Sequence, residues 1–194
     1  TYDCVKLTSD KLYLEYAEKI VYVGLWGKLY RKDLFLNIKF PVGKTWEDLA
    51  TTYKILLSVD YCSQINLPLY YYFYNYVGII QSEWTPKRLD EFDAYEQQLE
   101  FFKGKEKYAK IYKTLLFTYI KAISYSFDML INSSQPQKEK KKYKKLLSKK
   151  MRKALRQYRQ YKEKLPIEEN IGIYETAYPR RMHLYWIFKR ITRK

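Results

Sequence analysis

The chain has 194 residues, 47% of them hydrophobic and 19% aromatic, with 6 Gly and 6 Pro, so it is neither disordered, collagenous nor of low complexity. Two cysteines and a single histidine exclude a disulfide scaffold, a four-ligand zinc site and any multi-histidine metal centre. The net charge is +16, no apolar run reaches the about 18 residues of a membrane span, and no signal peptide opens the chain, so a soluble, reduced, intracellular protein is expected.

In chain order, Thr8-Ser9-Asp10 forms an N-cap pattern for a short helix over residues 11–19, and residues 20–23 have the β-branched character of a strand or buried link. Residues 28–36 read as a helical turn or two, stopped by the Phe40-Pro41-Val42-Gly43 turn. Thr45 and Asp48 match a loose capping box opening a helix with Leu49, Tyr53, Leu56 and Leu57 on one face. Residues 61–65 and 69–76 read as two strands, and Cys62 in the first reads as a small core hydrophobe. Beyond Pro86 the spacing is helical throughout: Leu89, Phe92, Tyr95, Leu99 and Phe102, then Tyr108 to Ile120, then the stripe Tyr143, Leu147, Met151, Leu155 and Tyr158. The expected class is α+β and mostly helical.

Charge divides the chain. Residues 1–137 hold 17 basic and 16 acidic groups, whereas residues 138–194 hold 20 and 5. A polar stretch, Asn132-Ser133-Ser134-Gln135-Pro136-Gln137, lies between and reads as a loop. Residues 138–162 alone carry 13 basic groups and one acid. Three explanations are open: a solvated face, a surface attracted to anionic lipid, or clustered charge for nucleic acid. The first two are favoured, and nucleic acid is not expected as a partner.

Phosphate-binding glycine motifs and H-E-x-x-H are absent, and His183 within Arg180-Arg181-Met182-His183-Leu184 reads as a helix-face residue, not a base. The informative stretch is Trp26-Gly27-Lys28-Leu29-Tyr30, then Phe40-Pro41-x-Gly43, then Glu47-Asp48, then Leu69-Tyr70-Tyr71-Tyr72. From spacing alone Asp48 is either a helix cap or a carboxylate held on a rigid element for general-base work. Trp26 is either a stacking platform or a core residue, and Lys28 a partner for a carboxylate or a phosphate.

The order of these segments, W-x-K-L-Y, F-P-x-G-x-x-x-E-D and L-Y-x-Y, resembles the acceptor-side half of bacterial inverting glycosyltransferases of family two, which have the GT-A fold. The resemblance implies an incomplete GT-A acceptor-side half over residues 1–82, a helical extension over 83–137 and a basic helical tail over 138–194. It implies Asp48 as catalytic base, Glu47 as a contact to the acceptor or a group that orients the base, and Trp26, Lys28 and Tyr30 along the acceptor side, Tyr30 mainly in packing. A base at Asp48 would be kept ionised by the helix amides beside it. The implied partners are a nucleotide-sugar donor and a glycan or lipid-linked acceptor in surface polysaccharide synthesis, at a cytoplasmic site peripheral to the inner face of the membrane.

This sequence departs from the family pattern at Phe73 and Gly78, where relatives carry an arginine and a small hydroxyl residue; Lys87 and Arg88 are candidate substitutes. The divalent metal (Mg or Mn) belongs to a D-x-D in the donor half. That half is expected upstream of Thr1, so this chain itself is expected to bind no metal and to be inactive alone. The rival reading is a non-catalytic helical binding module that uses the basic tail on nucleic acid or a protein partner.

Overall fold

The computed structural model describes residues 4–8, 11, 23–65, 67–73, 78, 82–161 and 167–179. Nearly all of the expected helix over 11–19 and of the link over 20–23, and His183, lie outside them. The described elements are strands β1 (Cys4–Thr8) and β2 (Tyr61–Ile65) and helices α1 (Glu47–Leu57), α2 (Leu89–Phe102), α3 (Ala109–Asn132), α4 (Gln137–Tyr158) and α5 (Ile167–Ala177). Short 3-10 turns punctuate them at Lys32–Phe35, Pro86–Arg88, Glu106–Tyr108 and Arg159–Tyr161. The chain is α+β and mostly helical, as expected. No described helix is long and apolar enough to cross a membrane.

The contacts divide the chain into two compact units, one of Thr1–Ser82 with Lys87–Leu115, the other of Glu83–Pro86 with Leu116–Lys194. In the first, β1 and β2 pair antiparallel with Leu7 opposite Cys62. Leu7 is buried between exposed Lys6 and Thr8, the alternation of a ribbon with one inner face. Cys62, opposite Leu7, is only half-buried, so the core position expected for it is corrected. α1 buries Leu49, Ala50, Tyr53, Ile55 and Leu56 and packs on α2, which buries Phe92, Tyr95, Leu99 and Phe102. The helical spacing read from the sequence is observed except at its ends, where Leu57 and Leu89 are only half-buried.

The helical turn expected within residues 28–36 is present as a 3-10 turn from Lys32 to Phe35. Two local expectations are corrected. Of the strand expected over 69–76, residues 69–73 form none, since Pro68 interrupts the chain and a tight Leu69 N–H to Leu67 C=O bond (2.9 Å) turns it out of the ladder, and residues 74–76 lie outside the described residues. Thr45 does not cap α1. The N-cap is Trp46, in the left-handed region at φ 62° and ψ 33°, and Thr45 is drawn away to α2.

In the second unit Trp84 is fully buried, donating its indole N–H to Ser126 Oγ (2.8 Å) and lying 4.8 Å, centroid to centroid, from Tyr143. The expected loop is present: Ser133 Oγ donates to Leu130 C=O at the end of α3, and Pro136 sets the N-cap of α4, its carbonyl accepting from Lys140. The stripe Tyr143, Leu147, Met151, Leu155 and Tyr158 is buried as its periodicity demands. α4 packs on α5, whose last turn supplies the Ala177 carbonyl to Arg152 (2.9 Å).

Candidate active site

The site is built on the start of α1. Gly43, at φ +75°, supplies the left-handed conformation that the Phe40–Gly43 turn needs. The chain after it is tied to the first turns of α2. Asp90 accepts the Thr45 backbone N–H (3.0 Å) and the Lys44 ammonium (2.7 Å), Asp93 accepts from Lys44 (3.1 Å), and Thr45 Oγ1 donates to the Lys87 carbonyl (3.0 Å). Fully buried Gln98 donates its amide to the Leu49 carbonyl (2.8 Å), and Thr52 Oγ1 donates to the Val23 carbonyl (2.9 Å). These bonds hold α1 against α2 on one side and against the segment leading to Trp26 on the other. Trp46 sits between clamp and helix in a conformation that costs an aromatic residue about 1–3 kcal/mol and persists because both flanks are fixed.

Glu47 and Asp48 follow as the first two residues of α1. Glu47 is exposed, and Asp48 is half-buried. The Asp48 carboxylate accepts the Leu49 N–H (2.7 Å), one of the orphan donors of the first turn. Burial nevertheless pushes the Asp48 carboxyl up from its ordinary value, helped by the neighbouring Glu47 charge, while the Leu49 N–H and the Lys28 ammonium pull it down. The helix amides favour the ionised form, but desolvation of the half-buried carboxylate outweighs them in the net direction. Lys28 is affected in the matching way. Burial lowers its pKa and the Asp48 charge restores part of it, and its ammonium donates to the Gly24 carbonyl (2.5 Å).

Trp26 is exposed and stacked, not in the core. Its ring lies 4.9 Å from Tyr70 at 20° and 4.9 Å from Tyr72 at 21°. Gly27 at φ +69° turns the chain between this stack and Lys28. Tyr30 meets the edge of Phe35 (5.6 Å), which stacks on Phe40 (6.1 Å), supporting a packing role. Burial pushes the Tyr30 hydroxyl up to about 12, and it has no hydrogen-bond partner among the described residues.

Of the residues singled out from the sequence, Lys28 and Asp48 are brought within electrostatic reach of one another. Trp26 is brought to the Tyr70–Tyr72 face instead. Phe73 is exposed, Gly78 lies in a bend, Lys87 is exposed, and Arg88 is buried with its guanidinium donating to the Ser82 carbonyl (2.9 Å), a local tie within the same unit. The sequence reading missed Asp90, Gln98, Tyr70 and Tyr72 as individual contributors. The last two carried a signal, a Tyr-x-Tyr spacing that puts alternate rings on one side of an extended chain. Among the described residues no three His, Cys, Asp or Glu side chains gather to hold a metal.

The chain is similar to a glycosyltransferase. Over 120 residues it is 26% identical to the glycosyltransferase GlyA of Streptococcus pneumoniae serotype 4, a match covering 59% of this chain and 17% of that protein. No family model and no solved structure matches it.

Proposed function

We propose that this chain is the acceptor-side part of an inverting, GT-A glycosyltransferase of family two, moving a sugar from a nucleotide-sugar donor to a glycan or lipid-linked acceptor in surface polysaccharide synthesis. The observation that carries the proposal is the Asp48 carboxylate, half-buried at the start of α1 and within electrostatic reach of Lys28. It lies in a segment order that resembles that family, within a chain similar to a glycosyltransferase.

In the transfer, the acceptor hydroxyl oxygen attacks the anomeric carbon and its proton passes to an Asp48 carboxylate oxygen. The nucleoside diphosphate departs with the electron pair of the broken bond. A carboxyl raised above its ordinary value is a stronger proton acceptor once ionised, and Lys28 beside it favours the ionised form. Exposed Glu47 is placed to meet an acceptor hydroxyl, and the Trp26–Tyr70–Tyr72 stack offers ring faces to a sugar. A divalent ion in the donor half would neutralise the diphosphate; no residue here is assigned to it.

The test is Asp48→Asn in the enzyme that carries this chain. Transfer is expected to fall about 10²–10⁴-fold, with donor affinity and melting temperature close to wild type. Near-normal transfer by the variant would sink the assignment.

A further inference from the structure

The α4 helix carries a second surface, independent of the Asp48 site. At about 100° per residue, Lys138, Lys141, Lys145, Lys149, Lys153 and Arg156 fall within roughly 60° of one line along the helix. All six are exposed. The buried stripe from Tyr143 to Tyr158 occupies the opposite side. The row extends over about 27 Å, at 1.5 Å per residue. The helix holds one acid, Glu139, which lies off this line and is engaged by Lys142 (3.3 Å).

A face serving only solubility interleaves both signs of charge. Here Lys141, Lys145, Lys149 and Lys153 repeat at i, i+4, three like-charge pairs in succession, each of which works against the helix. Such repulsion is relieved when the row meets an extended anionic surface.

We propose that this face of α4 docks on the anionic phospholipid headgroups of a membrane. Three features select lipid. Five of the six cations are lysines, compact point charges without the planar fork that reads phosphate and base geometry. No aromatic side chain stands on the row to stack on bases, since Tyr143 and Tyr158 are buried. No large exposed apolar residue stands there either, so the helix rests at headgroup level and is held by charge.

The experiment is co-sedimentation of the 194-residue chain with vesicles of phosphatidylcholine alone or mixed with phosphatidylglycerol. Binding is expected only with the anionic vesicles, fading as salt rises from about 0.1 to 1 M and the Debye length falls from about 10 to 3 Å. Lys141→Gln, Lys145→Gln, Lys149→Gln and Lys153→Gln together are expected to weaken binding on the order of 10²–10³-fold, with helicity checked by circular dichroism. A control that removes the same charge elsewhere (Lys32→Gln, Lys39→Gln, Lys103→Gln, Lys110→Gln) is expected to cost less than about tenfold. Equal binding to neutral vesicles, an equal loss in the control, or tighter binding to an RNA duplex at matched salt would each overturn the proposal. The lipid comparison uses the wild-type chain and decides whether or not the variant folds.

Discussion

The charges at the head of α1 and those along α4 are used in opposite ways. Around α1 they are few and locally engaged: Asp90 gathers Lys44 and the Thr45 N–H, and Asp48 accepts the Leu49 N–H within electrostatic reach of Lys28. Along α4 the row from Lys138 to Arg156 stands exposed beside a single acid. Pairing fixes geometry at short range, whereas an exposed row of one sign gives up local stability for a field felt several ångströms into solvent. The first arrangement suits chemistry at one atom, and the second suits adhesion to a surface.

Substitutions can break this contrast, beginning with the fixed, buried groups. Trp84→Ala is expected to cost about 3–5 kcal/mol in denaturant unfolding, since it empties a fully buried site and leaves Ser126 without its donor. A loss below 1 kcal/mol, on the same scale, would show that Trp84 is not an anchor of its unit. In the unit that holds Asp48, Gln98→Leu leaves the Leu49 carbonyl without its buried donor and is expected to cost about 1–3 kcal/mol. Unchanged stability would mean that α1 is held by its apolar face alone.

Asp90→Asn sharpens the contrast through pH. Burial raises the Asp90 carboxyl, but the bonds from Lys44 and Thr45 outweigh it and the net shift is downward from 3.8. A lowered carboxylate contributes stability that is present above its ordinary value and lost as pH falls through the folded one. The Asn variant is therefore expected to be less stable by about 1 kcal/mol or less at neutral pH, because the pairing with Lys44 is exposed and screened. The two proteins should converge in acid.

Asp48 has the opposite sign. Its raised carboxyl favours the folded state in the protonated form, a contribution present below the ordinary value and lost as pH rises through the folded one. Stability of Asp48→Asn relative to wild type should accordingly climb across that interval. Parallel pH profiles for the two variants would dissolve the distinction between a pairing and a desolvated carboxylate.

The smallest effect is expected on α4. Lys145→Glu turns two like-charge i, i+4 pairs, with Lys141 and Lys149, into opposite ones. It should raise thermal stability by about 0.2–0.5 kcal/mol per pair. A destabilisation there would show that Lys145 serves the fold, not the surface.

The long-range order of the segments and the periodicity of the helices were legible in the sequence. The faces of α1, α2 and α4 follow from where Leu, Tyr and Phe recur, because burial of one stripe is what stabilises a helix in a folded protein. The Pro136 boundary and the Phe40–Gly43 turn were legible for a similar reason, since proline and glycine constrain the backbone locally. The charge asymmetry was plain from counting, and helical geometry alone turns it into a row.

Other properties depended on residues distant in the chain. Thr45 does not cap because its N–H and hydroxyl donate to Asp90, 45 residues on, which holds it outside the helix while Trp46 takes the N-cap position. Residues 69–76 read as a strand by composition, yet 69–73 join no ladder, because the Leu67–Leu69 turn at Pro68 redirects the chain. The Asp48 carboxyl was expected to be held ionised by helix amides, but its desolvation is set by everything packed around it. Periodicity, turns and net charge are local or additive, so the sequence by itself determined them; hydrogen-bond partners, strand pairing and burial of a charge are non-local, and only the tertiary structure decided those.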